Sequence, residues 1–253
     1  FCADKGIRVA RIPRTHHVSS TRVRAHLRQF WSARAAKAAE LPAGVTCAFL
    51  PHTPYAEQFA EQASALGKEV MLHLPMESVG GMPNPGMLSV HMDRREFTRA
   101  VRDGLSALPH VSGVNNHMGS LLTQSSQRMQ WLMDELKRHE GLYFIDSYTS
   151  VQSVAWQVAA SNRLPNARRD VFLDASREPV MIRAQFERLL ARAWKNGYAI
   201  AIAHPYPETV AFLEAQLPAL AAAGVELVPV SQLIARRGTI AAEAMPSADA
   251  GPD

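Results

Sequence analysis

Short apolar segments in this chain run, one after another, straight into a single His or Asp: AFLPHTP at His52, VMLHLP at His73, GVNNHMG at His117, LYFIDS at Asp146, VFLDA at Asp174 and IAIAHP at His204. Strands that deliver titratable groups at their downstream ends suggest an enzyme built on a barrel or an open α/β sheet. In such folds the loops after the strands gather on one face, so groups far apart in sequence converge. One such histidine alone says little, because a neutral imidazole sits comfortably half buried as a hydrogen-bonded structural group. The repetition carries the inference.

The segments between these runs read as helices. Residues 55–66 form a helix closed by Gly67, and residues 93–108 another, opened by a capping-box pair of Asp93 and Glu96 and striped by Phe97, Val101, Leu105 and Leu108. Met129, Leu132, Met133 and Leu136 mark a third, and residues 150–161 a fourth. A fifth carries Met181, Phe186, Leu189, Leu190 and Trp194 up to Gly197. The sixth spans 207–223, with Pro207 at its start and Pro218 as a kink. Strands are expected in VTCAFLPH, GKEVMLHLP, the first part of HVSGVNNHMGS ahead of a polar turn that holds Asn115, Asn116 and His117, LYFID, RDVFLD, YAIAIAH and VELVPV. Strands alternating with helices mean parallel pairing through helical crossovers. The stretch MESVGGMPNPGMLSVHM is too rich in Gly and Pro to be regular, and its length marks a substrate loop.

With 253 residues, nearly half of them hydrophobic, the chain can bury one substantial core. Cys2 and Cys47 offer no CxxC spacing and no disulfide framework, so they leave the redox compartment open. The net charge of +4 hints at nucleic acid until it is divided along the chain. Residues 1–42 hold nine Lys or Arg against Asp4 and Glu40, a balance of +7; the rest carries 18 basic and 21 acidic groups, a balance of −3. The main domain therefore has no electrostatic case for a polyanion partner. Residues 1–42 read as an atypical basic segment, non-native or unstructured, with one weakly amphipathic helix over 21–40. Residues 237–253 read as a disordered tail. No segment has the apolar length of a membrane span, and none reads as a secretory signal.

LPHTPYA, GKEVMLHLPME, GVNNHMGS, YFIDS, RDVFLD and AIAHPYPETVAFL through GVELVPVSQL together resemble the divergent polysaccharide deacetylase family, a remote branch of carbohydrate esterases that remove acetyl groups from N-acetylated sugars. The resemblance covers residues 43–236. It implies a distorted seven-stranded (β/α) barrel of the glycoside hydrolase/deacetylase type, a divalent metal, usually zinc, at its downstream face, a polysaccharide or peptidoglycan-like partner and an extracytoplasmic, periplasmic setting.

Within that pattern His73 and His117 match metal ligands, and two neutral imidazoles with a carboxylate and an open water position make a catalytic zinc set. His204 matches a general acid for the departing amine, with Asp146 orienting it; the competing role for Asp146 is to cap an Asp-Ser turn. Glu77 is a candidate for contact with metal or sugar, and Asn115 and Asn116 for sugar contact. Asp174 with Arg169 and Asp170 reads as a salt-bridged corner, and His52 as a loop cap or pocket lining.

The family's first strand ends in paired aspartates that supply the base and often a ligand. Here the upstream region is the Arg-rich segment, so that strand is missing or degenerate and its carboxylate maps to no residue. Three readings stay open: a metal-dependent deacetylase, a non-catalytic envelope or carbohydrate-binding barrel, and a glycoside hydrolase using Asp146 and Asp174 as its two carboxylates.

Overall fold

The computed structural model describes residues 37–243; the basic segment and its 21–40 helix lie almost wholly outside them. Five parallel strands, β1 (Cys47–Phe49), β2 (Val70–Met76), β3 (Val111–Met118), β4 (Tyr143–Asp146) and β5 (Asn166–Arg168), pair in chain order. A second, two-stranded parallel sheet joins β6 (Val171–Phe172) to β7 (Ala201–Ile202). Only Arg169 and Asp170 separate β5 from β6, so the chain crosses from one ladder to the other at a kink. There the Asp170 and Val171 amides both donate to the Ile200 carbonyl (2.8 and 3.1 Å).

The helices fall where the apolar stripes put them. α1 (Ala56–Ala65) ends at Gly67, whose φ of +73° suits a residue without a β-carbon. α2 (Arg94–Ser106) opens on the expected reciprocal cap: Asp93 accepts from the Glu96 amide and Glu96 from the Asp93 amide. α3 (Ser126–Leu136) and α4 (Ala155–Ser161) follow. These four pack Ala60, Phe97, Val101, Met129, Leu132 and Ala159 against Leu72, Leu74, Val114 and Phe144 on one sheet face. On the opposite face, Met71, Tyr143, Ile145, Ala167 and Ile200 pack against Val230, Leu233 and Ile234 of α7 (Val230–Glu243). A smaller cluster joins Leu173 to α5 (Pro179–Asn196) and α6 (Pro207–Gln216) through Ile182, Phe186 and Phe212.

Four expectations change. VELVPV forms no strand: residues 225–229 run beside residues 44–46, where the missing β-carbon of Gly44 admits the Leu227 carbonyl, and the Val230 amide donates to Thr46 Oγ1 (3.1 Å) instead of to a ladder. The sheets thus amount to a five-stranded parallel α/β layer with a two-stranded companion, not one seven-stranded ladder. The helix expected over 207–223 stops at Gln216, and Pro218 sits in the first of two 3-10 turns. α7 continues through residues 237–243, placed in the tail by the sequence.

Candidate functional site

Parallel register places side chains of paired residues on the same face, and alternation along each strand does the rest. His73 pairs with Asn115, and Asn115 with Ile145; His117 lies two residues beyond Asn115. His73, Asn115 and His117 therefore share the Met71 and Ile145 face. Leu72, Leu74 and Phe144 face the helices.

On that face the two histidines meet. Their rings stand edge to face, centroids 4.8 Å apart, with His117 Nδ1 3.1 Å from His73 Nε2. The Asn115 amide nitrogen donates to Ser147 Oγ (3.3 Å), so its Oδ1 faces His73 Nδ1 at 2.9 Å. An amide oxygen only accepts, hence His73 carries its proton on Nδ1 and turns an unprotonated Nε2 to His117. Burial pushes the His73 imidazole down to about 3, with the His117 and His204 charges adding to the effect and the Asn115 bond opposing it. His117 is lowered by burial and then by His204. Both rings are therefore neutral at physiological pH.

Those couplings place His204 near the pair, and its own partner is a carboxylate. Leu173 and Asp174 continue β6, and Ala203 and His204 continue β7, in the register that pairs Phe172 with Ile202. The two ends lie side by side. His204 Nδ1 donates to Asp174 Oδ1 (3.0 Å), while the His204 amide (2.7 Å) and Thr209 Oγ1 (3.0 Å) donate to Oδ2. The Asp174 side chain is wholly enclosed, and Phe172 and Tyr206 flank the imidazole at 5.5 and 5.3 Å. With Nδ1–H committed, Nε2 is the free position.

Asp146 does not serve His204. Tyr143 and Ile145 face the histidine side, so the next residue faces the helices. There Oδ1 takes the Tyr148 amide (2.8 Å), and Oδ2 takes Ser153 Oγ (2.7 Å) and the Trp156 amide (3.3 Å). Asp146 thus closes the turn and caps α4, which explains why that helix begins at Ala155 and not near residue 150. Asp174, read from sequence as part of a salt-bridged corner, is the orienting carboxylate. Asp170 bonds the Ile200 amide and faces Arg192.

The expected sugar contacts are also committed elsewhere. Glu77 Oε2 accepts from Ser89 Oγ (2.7 Å) and the Val90 amide (2.8 Å), tying down the long loop, and these bonds lower its pKa. Asn115 orients His73. Asn116 is fully buried, taking the Ser147 amide (2.8 Å) and donating to the Met118 carbonyl (2.7 Å), which staples β3 to the turn after β4. His52 sits at φ +58° beside Gly86, in an open depression with Tyr55 and Glu57 that none of the three site histidines lines.

Among the described residues no group of three or more His, Cys, Asp or Glu side chains gathers around one point. The pair at 73 and 117 nonetheless suits a divalent ion. Two ligands about 2.05 Å from a tetrahedral zinc stand about 3.3 Å apart, close to the observed 3.1 Å, and both rings are neutral. A ligating histidine fixed through its other ring nitrogen, as Asn115 fixes His73, is the usual supporting arrangement.

Sequence and fold comparisons give the chain's family. The uncharacterized protein YibQ of Escherichia coli K12 is 38% identical over 175 residues, 69% of this chain and 54% of that protein. An uncharacterized protein of Haemophilus influenzae is 34% identical over 178 residues, 70% of this chain and 63% of its own length. The chain thus spans little more than half to three fifths of these relatives. The crystal structure of the uncharacterized protein ATU2773 from Agrobacterium tumefaciens C58 superposes with a TM-score of 0.76 at 25% identity, over 79% of this chain and 83% of that one. The family description "Divergent polysaccharide deacetylase" matches residues 32–234, from before β1 to the start of α7, and the chain belongs to that family.

Proposed function

We propose that this chain is a metal-dependent hydrolase that removes acetyl groups from N-acetylated sugars of a polysaccharide or peptidoglycan-like glycan. The observation that carries the reading is two limbs within electrostatic reach of each other: a neutral imidazole pair at His73 and His117, and a carboxylate-held imidazole at His204. A divalent ion, zinc by preference, held by His73 and His117 would supply Lewis acidity toward the acetyl carbonyl and lower the pKa of water. The protein's own groups do the remainder. Asn115 keeps the His73 proton on Nδ1, so Nε2 stays a donor to the ion. Asp174 keeps the His204 proton on Nδ1, so Nε2 is free to take a proton from the attacking water and pass it to the sugar nitrogen as the C–N bond breaks. Thr209 and the His204 amide hold the carboxylate in place. The reading carries with it closure into the family's distorted barrel and an extracytoplasmic setting.

Incubating the purified chain with zinc and an N-acetylglucosamine oligosaccharide tests it: about one zinc bound per chain and release of acetate are expected. A chain that binds no zinc and releases no acetate overturns the reading. A second reading, a glycan-binding domain without chemistry, draws on Asp146, the strand-end carboxylate that turns away from the histidines. It predicts glycan binding that survives His117→Ala, with no acetate. New reducing ends without acetate would support neither, and would point to glycoside cleavage.

A further inference from the structure

Arg169, which the sequence groups with Asp174 in a corner, stands instead at the kink between the two sheets, and its contacts reach both limbs of the site. Its amide donates to the Asp146 carbonyl (3.0 Å), so the ladder of β4 runs one residue past β5. Alternation then sets the faces. Arg168 pairs with Asp146 on the helix side, where its guanidinium lies 4.4 Å from the Tyr148 ring and 5.4 Å from the Trp156 ring. Arg169 falls in step with Ala167, which packs with Met71 and Ile145 on the histidine side.

The edge of the Arg169 guanidinium closes on the turn after β4. Nε donates to the Ser147 carbonyl (2.6 Å) and Nη2 to the Tyr148 carbonyl (2.8 Å). With its amide included, Arg169 takes three successive carbonyls. The turn needs such a hold, because Tyr148 adopts φ +50°, a left-handed conformation in which a β-carbon crowds the chain. From this turn the bonds run to the imidazole pair. Ser147 Oγ accepts from the Asn115 nitrogen whose oxygen partner holds His73, and the Ser147 amide donates to Asn116. Thr149 Oγ1 donates to the Met118 carbonyl (2.8 Å), directly after His117.

The same guanidinium packs on the other limb. Its carbon lies 5.3 Å from the centre of the Phe172 ring, and that ring meets the His204 imidazole edge to face at 5.5 Å. Arg169 is half-buried, and burial lowers its pKa against the opposing charges of Asp146 and Asp170. Its hydrogen bonds nevertheless go to carbonyls, not to a carboxylate. A charge drawn out of water is a costly way to close a turn that a neutral donor could close. What arginine adds is a flat fork that bonds two carbonyls while its face covers an aromatic ring.

We infer that Arg169 is a positioning residue that sets His204 against the His73 and His117 pair. Its edge fixes the turn behind the pair, and its face fixes the Phe172 ring beside His204. The effect on rate rests on the deacetylase reading; the bracing itself does not.

The test compares the whole chain with Arg169→Ala and Arg169→Lys by amide hydrogen exchange without zinc, by zinc titration, and by acetate release from the β-1,4-linked N-acetylglucosamine tetramer. Arg169→Ala should speed exchange about tenfold at the Tyr148 amide on one limb and at the His204 amide on the other. Its kcat should fall about tenfold or more, with KM and zinc affinity within about threefold. Ethylguanidinium at millimolar concentration should reverse both changes, and ethylammonium neither. Arg169→Lys keeps the cation without the fork, so it should fold even where Arg169→Ala does not, and its kcat should remain about fivefold down. Faster exchange at Tyr148 alone, or full kcat in either variant, overturns the inference and leaves the deacetylase reading standing. Faster exchange on both limbs in a protein whose unsubstituted form releases no acetate overturns that reading and leaves the brace in place.

Discussion

Asp146 and Asp174 each follow three apolar residues, in YFID and VFLD, and both are buried, at 0% and 4% exposure. Their work differs. Asp146 takes one hydroxyl and two backbone amides from the turn and helix that follow it. Asp174 takes an imidazole N–H, one amide and one hydroxyl across the gap between β6 and β7. The first carboxylate is tied to its own local chain, and the second to a residue 30 positions away. What separates them is strand parity: Asp146 falls one residue past the inward-facing Ile145, while Asp174 falls in step with Phe172, which touches His204. A carboxylate at a strand end is therefore informative only together with the face it takes.

The sharpest way to break this contrast is Asp174→Asn. It should leave the fold intact and lower the rate of acetate release by about 10²- to 10⁴-fold, the range lost when an orienting carboxylate or a proton-transfer partner is disabled. A loss below tenfold would return Asp174 to a purely structural role. Asp146→Ala should act on the other axis, costing about 3 kcal/mol in urea unfolding because one buried and two part-buried donors lose their acceptor. If stability is unchanged, the cap is dispensable and the contrast fails.

The imidazole pair supplies a third measurement. His73 is held near 3 in the folded chain against the ordinary 6.5, so below pH 6.5 the unfolded state binds the additional proton. The stability contributed by the neutral ring is complete above pH 6.5 and declines as the pH falls toward 3. Between pH 6.5 and 5 that decline should be about 2 kcal/mol, with zinc absent. His73→Asn should flatten this part of the profile, and an equally steep profile would show that other groups set it. The smallest effect belongs to Glu77→Gln, which weakens the two bonds to Ser89 and Val90. About 1 kcal/mol is expected, read as faster hydrogen exchange at the Val90 amide with the core unchanged.

Much of the architecture was legible in the chain. The apolar runs into His73, His117 and Asp146 became β2, β3 and β4, and Gly67, Gly197 and the Asp93–Glu96 pair mark real helix ends. VELVPV misled because β-branched apolar residues favour strands but cannot provide a neighbour to pair with; residues 225–229 meet Gly44 and Thr46 through a carbonyl approach and a side-chain bond. Asn115, Asn116 and His117 read as a polar turn but lie inside β3, because the bonds that make two asparagines tolerable on a buried strand go to His73 and Ser147, 42 and 31 residues away. Nothing in the sequence flagged Tyr148, since a positive φ at a tyrosine is imposed by Asp146 and Arg169 from outside the residue.

By itself the sequence determined the order of strands and helices, the histidines and acids at the strand ends, and the family pattern that relates them, because apolar periodicity and capping are local properties. Only the tertiary structure decided which acid serves which histidine. Strands buried on both faces show no alternation of apolar and polar residues, so their sequences hide which residues face inward. That parity emerges only when the strands pair in register and one face closes over α7 while the other receives the helices.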